Sequence, residues 1–168
     1  MTVRTLVIGV GNPDRGDDAV GLHVARRVAA AAPQVSVIEA AGDALMLLDR
    51  WRGAEHVVLV DAAAPLSAPG TIHRLDPIAA PLPREIVPGS THAFGVAEAV
   101  ELARRLAALP PRMTIYAIEA GGFAAGAALT PAVAAAAVLV AARIAAEAGG
   151  APLRPKGAAL RAQSPRTD

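Results

Sequence analysis

Cysteine is absent from this 168-residue chain, which at once excludes disulfides, thiolate metal ligands and a cysteine nucleophile. Aromatic residues are nearly absent too, at 2% against a hydrophobic fraction of 54%, so a core must be assembled from Ala, Val, Leu and Ile. Such a composition suits a sheet held between alanine-rich helices better than an all-β sandwich. No apolar run of about 18 residues is free of both charge and proline, and the N-terminus lacks the charged start and apolar stretch of a signal peptide. The expectation is a soluble, cytoplasmic protein with no membrane partner.

Several catalytic signatures are also missing. There is no Gly-x-Ser-x-Gly elbow for a serine hydrolase and no HExxH helix for a zincin. Gly9-Val10-Gly11 begins like a dinucleotide fingerprint, with Glu39 near the end of the second strand, but Asp14 stands where the third glycine belongs. A pyrophosphate would meet an acidic loop there. The net charge is +1, and the tail from Gly149 holds Arg154, Lys156, Arg161 and Arg166 against Asp168, leaving the body at −2. A mildly acidic globule with a basic tail is a poor match for a nucleic-acid backbone.

What is present reads as one α/β domain over residues 1–148, followed by a flexible basic tail over 149–168. Val3 to Val10 is a buried strand, and Asp17 or Asp18 to Ala31 a helix with Val20, Val24 and Val28 repeating every four residues. Val35 to Glu39 is a strand, Ala44 to Trp51 a helix, His56 to Asp61 a central strand and Gly70 to Leu75 a further strand. Pro77 to Gly89 carries four prolines and reads as a surface connection suited to substrate contact. Thr91 to Leu109 is an amphipathic helix and Met113 to Ile118 a strand, and Thr130-Pro131 caps and opens a last helix to about Glu147. The order predicts a three-layer fold: a twisted, mostly parallel sheet of about five strands with helices on both faces.

In such a sheet, ligands bind beyond the carboxyl ends of the strands. Asp18 lies in the first such loop, Asp61 ends the apolar run VVLVD, and His92 opens a helix in GSTHAFGVAEAV. Two carboxylates and an imidazole suit a borderline divalent ion such as nickel or zinc. Each residue also has a plainer use: Asp17 or Asp18 as a helix cap, Asp61 in a turn, His92 in an exposed first turn. His23, His56 and His73 are weaker candidates, inside a helix or flanking strands.

Gly9-Val10-Gly11-Asn12, Asp17-Asp18-Ala19-Val20-Gly21, Asp61 closing its strand and Ser90-Thr91-His92-Ala93-Phe94-Gly95, in that order, make the chain resemble the hydrogenase maturation endopeptidases from about Thr5 to Glu147. The resemblance implies an endopeptidase that trims the carboxyl-terminal extension of a nickel-loaded hydrogenase large-subunit precursor. It assigns Asp18, Asp61 and His92 as metal-binding and catalytic residues, the nickel being supplied by the precursor. The expected state is a monomer. Several relatives carry D-G-G-T where this chain has Glu39-Ala40-Ala41-Gly42-Asp43, a departure that bears on which hydrogenase is processed. Other readings are a non-catalytic nickel-binding accessory protein, a dinucleotide-binding protein and a relative of the peptidyl-tRNA hydrolases, which also show G-x-G-N-P but carry their histidine in a different context from Leu22-His23-Val24.

Overall fold

The computed structural model describes residues 4–86 and 95–149. Five strands form a single sheet: β1 (Thr5–Val10), β2 (Ser36–Ala40), β3 (His56–Ala63), β4 (Ile72–Leu75) and β5 (Arg112–Glu119), in the spatial order β2-β1-β3-β5-β4. All neighbours are parallel except β4, which runs antiparallel to β5 at the edge. Four helices complete the fold: α1 (Val20–Ala31), α2 (Ala44–Trp51), α3 (Val96–Arg105) and α4 (Pro131–Ala148). The three-layer, mostly parallel architecture expected from the alternation of elements is the one found.

Two apolar cores, one on each face, explain why the strands read as continuous hydrophobic runs. Val7, Val58, Val60, Tyr116 and Ile118 meet α1 and α4 on one side. Ile8, Val57, Leu59, Met113 and Ile115 meet α2 and α3 on the other. With so few aromatics, close approach of helix to sheet replaces bulk. A Cβ on Gly21 would strike the carbonyl oxygens of Val10 and Val60, so only glycine lets the first turn of α1 lie across the ends of β1 and β3. Helix α4 is long and apolar enough to cross a bilayer, with a mean hydropathy of 1.6. Its inner face, from Val133 to Ile144, instead forms a wall of the core.

Several boundaries differ from the sequence expectation: α1 begins at Val20 rather than at Asp17 or Asp18, which lie in a 3-10 turn, and β4 begins at Ile72 rather than Gly70. Strand β3 runs on to Ala63, because it pairs with β5 beyond Asp61. Helix α3 ends at Arg105 rather than Leu109, where Ala107 takes a positive φ of 53° ahead of Pro110 and Pro111. Residues 91–94, expected to begin that helix, lie outside the described residues, as do all but Gly149 of the proposed tail. Thr130 precedes α4, but its hydroxyl makes no cap bond to that helix.

Gly21→Ala should lower stability by about 3 kcal/mol, on the order of 9 °C in melting temperature, because the new methyl must displace backbone from both strand ends. A thermal melt monitored by circular dichroism checks this; an unchanged midpoint would mean that the close approach is not needed.

Candidate active site

The connection after β1 leads through α1 to β2 on one side, and β3 then returns to the other side of β1. The crevice between the carboxyl ends of β1 and β3 is therefore the topological switch point, where open α/β sheets place their ligands. Pairing between β1 and β3 stops at Gly9 and Val60, while β3 continues beside β5. Asp61 is thus the first β3 residue beyond the last pair with β1. By the two-residue alternation of a strand it shares the face of Val57 and Leu59, the face covered by α2 and α3.

The β1–α1 loop reaches the same crevice. Asn12 Oδ1 accepts from the Asp14 amide at 2.9 Å, turning the chain sharply after the strand. A Cβ on Gly11 would collide with the carbonyl oxygen of Asp18, so the loop can fold back only over glycine. A 3-10 turn, Gly16–Ala19, then carries both acidic residues and packs against β3.

The two neighbouring aspartates have opposite fates. Asp17 is fully buried. Its Oδ2 accepts from the amides of Gly121 (2.7 Å) and Gly122 (3.0 Å) and from the Thr130 hydroxyl (2.8 Å), while Oδ1 accepts from the Thr130 amide (2.7 Å). The Asp17 amide returns a bond to the Gly122 carbonyl at 2.9 Å. Burial alone would push the Asp17 carboxyl up, but these donors outweigh it and hold it below the ordinary range. Asp17 therefore locks the 3-10 turn to the β5–α4 loop and caps no helix of its own. Asp18 is the half-buried partner that remains beside β3.

Asp61 shows the reverse electrostatics. Burial pushes its carboxyl up to about 8; the amide of Ala62, donating to Oδ1 at 2.8 Å, opposes the rise, and the negative charge of Asp18 adds to it. A buried carboxyl kept protonated beside a second acidic side chain is an arrangement whose charge a cation could offset. The structure thus brings Asp18 and Asp61 together. His92 lies outside the described residues, and the chain re-enters at Gly95, which opens α3 on the face that Asp61 shares. The Gly95 amide is held by Glu98 Oε2 at 2.8 Å, fixing the start of that helix.

A second buried carboxylate, Glu119, was not singled out by sequence reasoning. It ends β5 opposite Ala63 and accepts from the amides of Leu66 and Ser67 (both 2.6 Å), the Ser67 hydroxyl (2.8 Å) and His73 Nε2 (2.9 Å). Burial opposes its charge, yet these donors hold its carboxyl at about 2. Glu119 so fastens the loop that follows β3. The available signal was a lone acid ending an otherwise apolar strand. His73 is spent on this bond, and His56 faces Thr114 Oγ1 at 3.3 Å inside the fold. His23 stands on the outer side of α1.

The chain matches the family model described as hydrogenase maturation protease over residues 20–147. It belongs to the hydrogenase maturation protease family and is a peptide-bond hydrolase. Its fold is similar to that of the hydrogenase maturating endopeptidase HybD from E. coli, at 25% identity and a TM-score of 0.66, covering 88% of this chain and 94% of that one. A solution structure of an endopeptidase from Escherichia coli is similar at 25% identity and a TM-score of 0.71, with coverage of 88% and 94%. The [NiFe] hydrogenase maturation protease HybD from Thermococcus kodakarensis shares 24% identity and a TM-score of 0.62, with coverage of 86% and 97%. No curated protein matches the chain. Asp61 and His92 fall within the matched span, whereas Asp17 and Asp18 lie just before it.

The Asp61 shift predicts a pH dependence of the metal-free protein. Between about pH 4 and about 8 the folded state keeps a proton on Asp61 that the unfolded chain has released, so this group makes stability fall as pH rises. Asp61→Asn should therefore melt well above the wild type at pH 8 and above it by a smaller margin at pH 5. Equal differences at the two pH values would show that Asp61 is not perturbed.

Proposed function

We propose that this hydrolase removes the carboxyl-terminal extension of a hydrogenase large-subunit precursor and acts on the precursor only once nickel has been inserted. The observation that carries the reading is the convergence of Asp18 and Asp61 at the switch point, where Asp61 is hard to ionise without a cation. The names of structurally similar proteins, including a [NiFe] hydrogenase maturation protease, support the same substrate class.

In this reading the nickel arrives with the precursor and is part of the substrate. Asp18 and Asp61 supply oxygen donors, and His92, from the segment leading into α3, supplies an imidazole; such a set suits a borderline divalent ion. Bound there, the ion supplies Lewis acidity near the scissile carbonyl. Three protein donors leave positions for groups of the precursor. Asp61 gives up its proton as the ion enters, so engagement strengthens with pH. Asp17 and Glu119 hold the flanking loops in place throughout. Water is the nucleophile, since the site carries no cysteine and no serine elbow. The proline-rich stretch from Pro77 serves as a surface for the precursor on the side of the segment that carries His92.

Purified protein should cleave nickel-loaded precursor and leave nickel-free precursor intact. Asp61→Asn and His92→Ala should each slow cleavage by more than about 100-fold while neither variant melts below the wild type at pH 5. Equal cleavage of both precursors, read by gel mobility and mass, would contradict the metal checkpoint.

A further inference from the structure

On the α1/α4 side of the Asp18 turn lies a cavity of about 440 Å³ that none of the chemistry above uses. It is lined by Pro13 and Ala19 of the site loop, the segment 126–129 and Ala137 of α4. Its rim is tied together where the Gly126 amide donates to the Asp14 carbonyl at 2.8 Å. The lock at Asp17 fixes both ends of the 121–130 loop, so the cavity keeps a set position relative to Asp18.

The walls are apolar apart from two side chains on successive turns of α1, His23 and Arg27. Arg27 makes no ion pair among the described residues, whereas its neighbour Arg26 is held bidentately by Glu39 at 2.7 and 3.0 Å. Partial burial, with the charges of Arg26 and Arg27, pushes the His23 imidazole below its ordinary value. The amides of Ala128 and Leu129 donate to no protein acceptor among the described residues. Two free backbone amides, a trough of small apolar side chains and a guanidinium without an ion-pair partner are parts from which a protein builds a peptide subsite for an acidic segment.

We infer that this cavity binds the excised extension of the precursor, with Arg27 and His23 holding an acidic side chain and the 126–129 backbone holding the peptide main chain. The inference rests on the endopeptidase reading above. A polypeptide crossing the carboxyl edge of the sheet passes Asp61 on the α2/α3 face and the Asp18 turn at the crest, then descends on the α1/α4 face into this cavity. The released segment is therefore gripped on one side of the reacting bond and the body of the precursor on the other.

Steady-state cleavage of nickel-loaded precursor by wild type, Arg27→Glu and Arg26→Glu tests the assignment, because the two variants make the same charge change one residue apart. Arg27→Glu should raise KM about tenfold with kcat nearly unchanged, and Arg26→Glu should leave KM within about twofold. A fluorescein-labelled synthetic peptide copying the precursor's carboxyl-terminal extension provides a readout without turnover: its anisotropy should show binding to wild type and to Arg26→Glu but not to Arg27→Glu. Replacing the acidic side chains of that peptide by amides should abolish binding, while amidating only its terminal carboxylate should not. Equal KM values for the two variants, or loss of binding on terminal amidation alone, would overturn the subsite. Failure of wild type to cleave the precursor at all would instead overturn the endopeptidase reading on which it rests.

Discussion

The buried carboxylate of Asp17, with its four donors from Gly121, Gly122 and Thr130, is the constraint on which the site depends. It joins the loop after β1 to the loop after β5, two segments more than a hundred residues apart in sequence. A buried charge is tolerated only when its lone pairs are filled, and removing one partner leaves the rest uncompensated. The cost of that burial is met by the precision it confers: the 3-10 turn cannot slide, so Asp18 stays beside β3. Glu119 repeats the device at the end of β5, fastening the loop that follows Asp61. Two carboxylates filled by several donors thus frame Asp61, which accepts from a single amide among the described residues.

That contrast gives the site its chemistry. Asp17 and Glu119 are surrounded by N–H and O–H donors and ionise more easily than a free carboxyl. Asp61 has one amide and a like charge nearby, and ionises with difficulty. A carboxyl group at this end of the sheet is held ionised or kept protonated according to the donors that surround it. The absence of cysteine and the shortage of aromatics are compatible with this plan, since stability comes from close helix–sheet approach at Gly21 and from apolar layers of Val, Ile and Ala.

Much of the fold was legible in the sequence because the signals were local. The helix Ala44–Trp51 was read with its observed bounds, since Asp43 accepts from the Met46 amide at its start and the apolar period stops at Trp51. The central strands were evident as apolar runs. Less legible were features set by distant partners. The family pattern singles out Asp18, which directly precedes Ala19-Val20-Gly21, but the anchoring role of Asp17 appears only with the arrival of Thr130 and Gly121. Thr130 read as the cap of α4 because it precedes a proline, yet its hydroxyl goes to Asp17. The extension of β3 past Asp61 required the pairing with β5, and Glu119 became visible as an organiser only once Ser67 and His73 were seen around it.

The division of labour between the adjacent aspartates is the central claim, and one paired measurement addresses it: melting temperature at pH 8 and nickel affinity by titration calorimetry, for Asp17→Asn and Asp18→Asn side by side. Asp17→Asn should lose about 3 kcal/mol of stability, because an amide NH₂ is set against a backbone donor. Asp18→Asn should melt at or above the wild type, relieved of its repulsion with Asp61, and should bind nickel far more weakly. The opposite pattern, with Asp18→Asn unstable and Asp17→Asn stable but unable to bind nickel, would contradict the account.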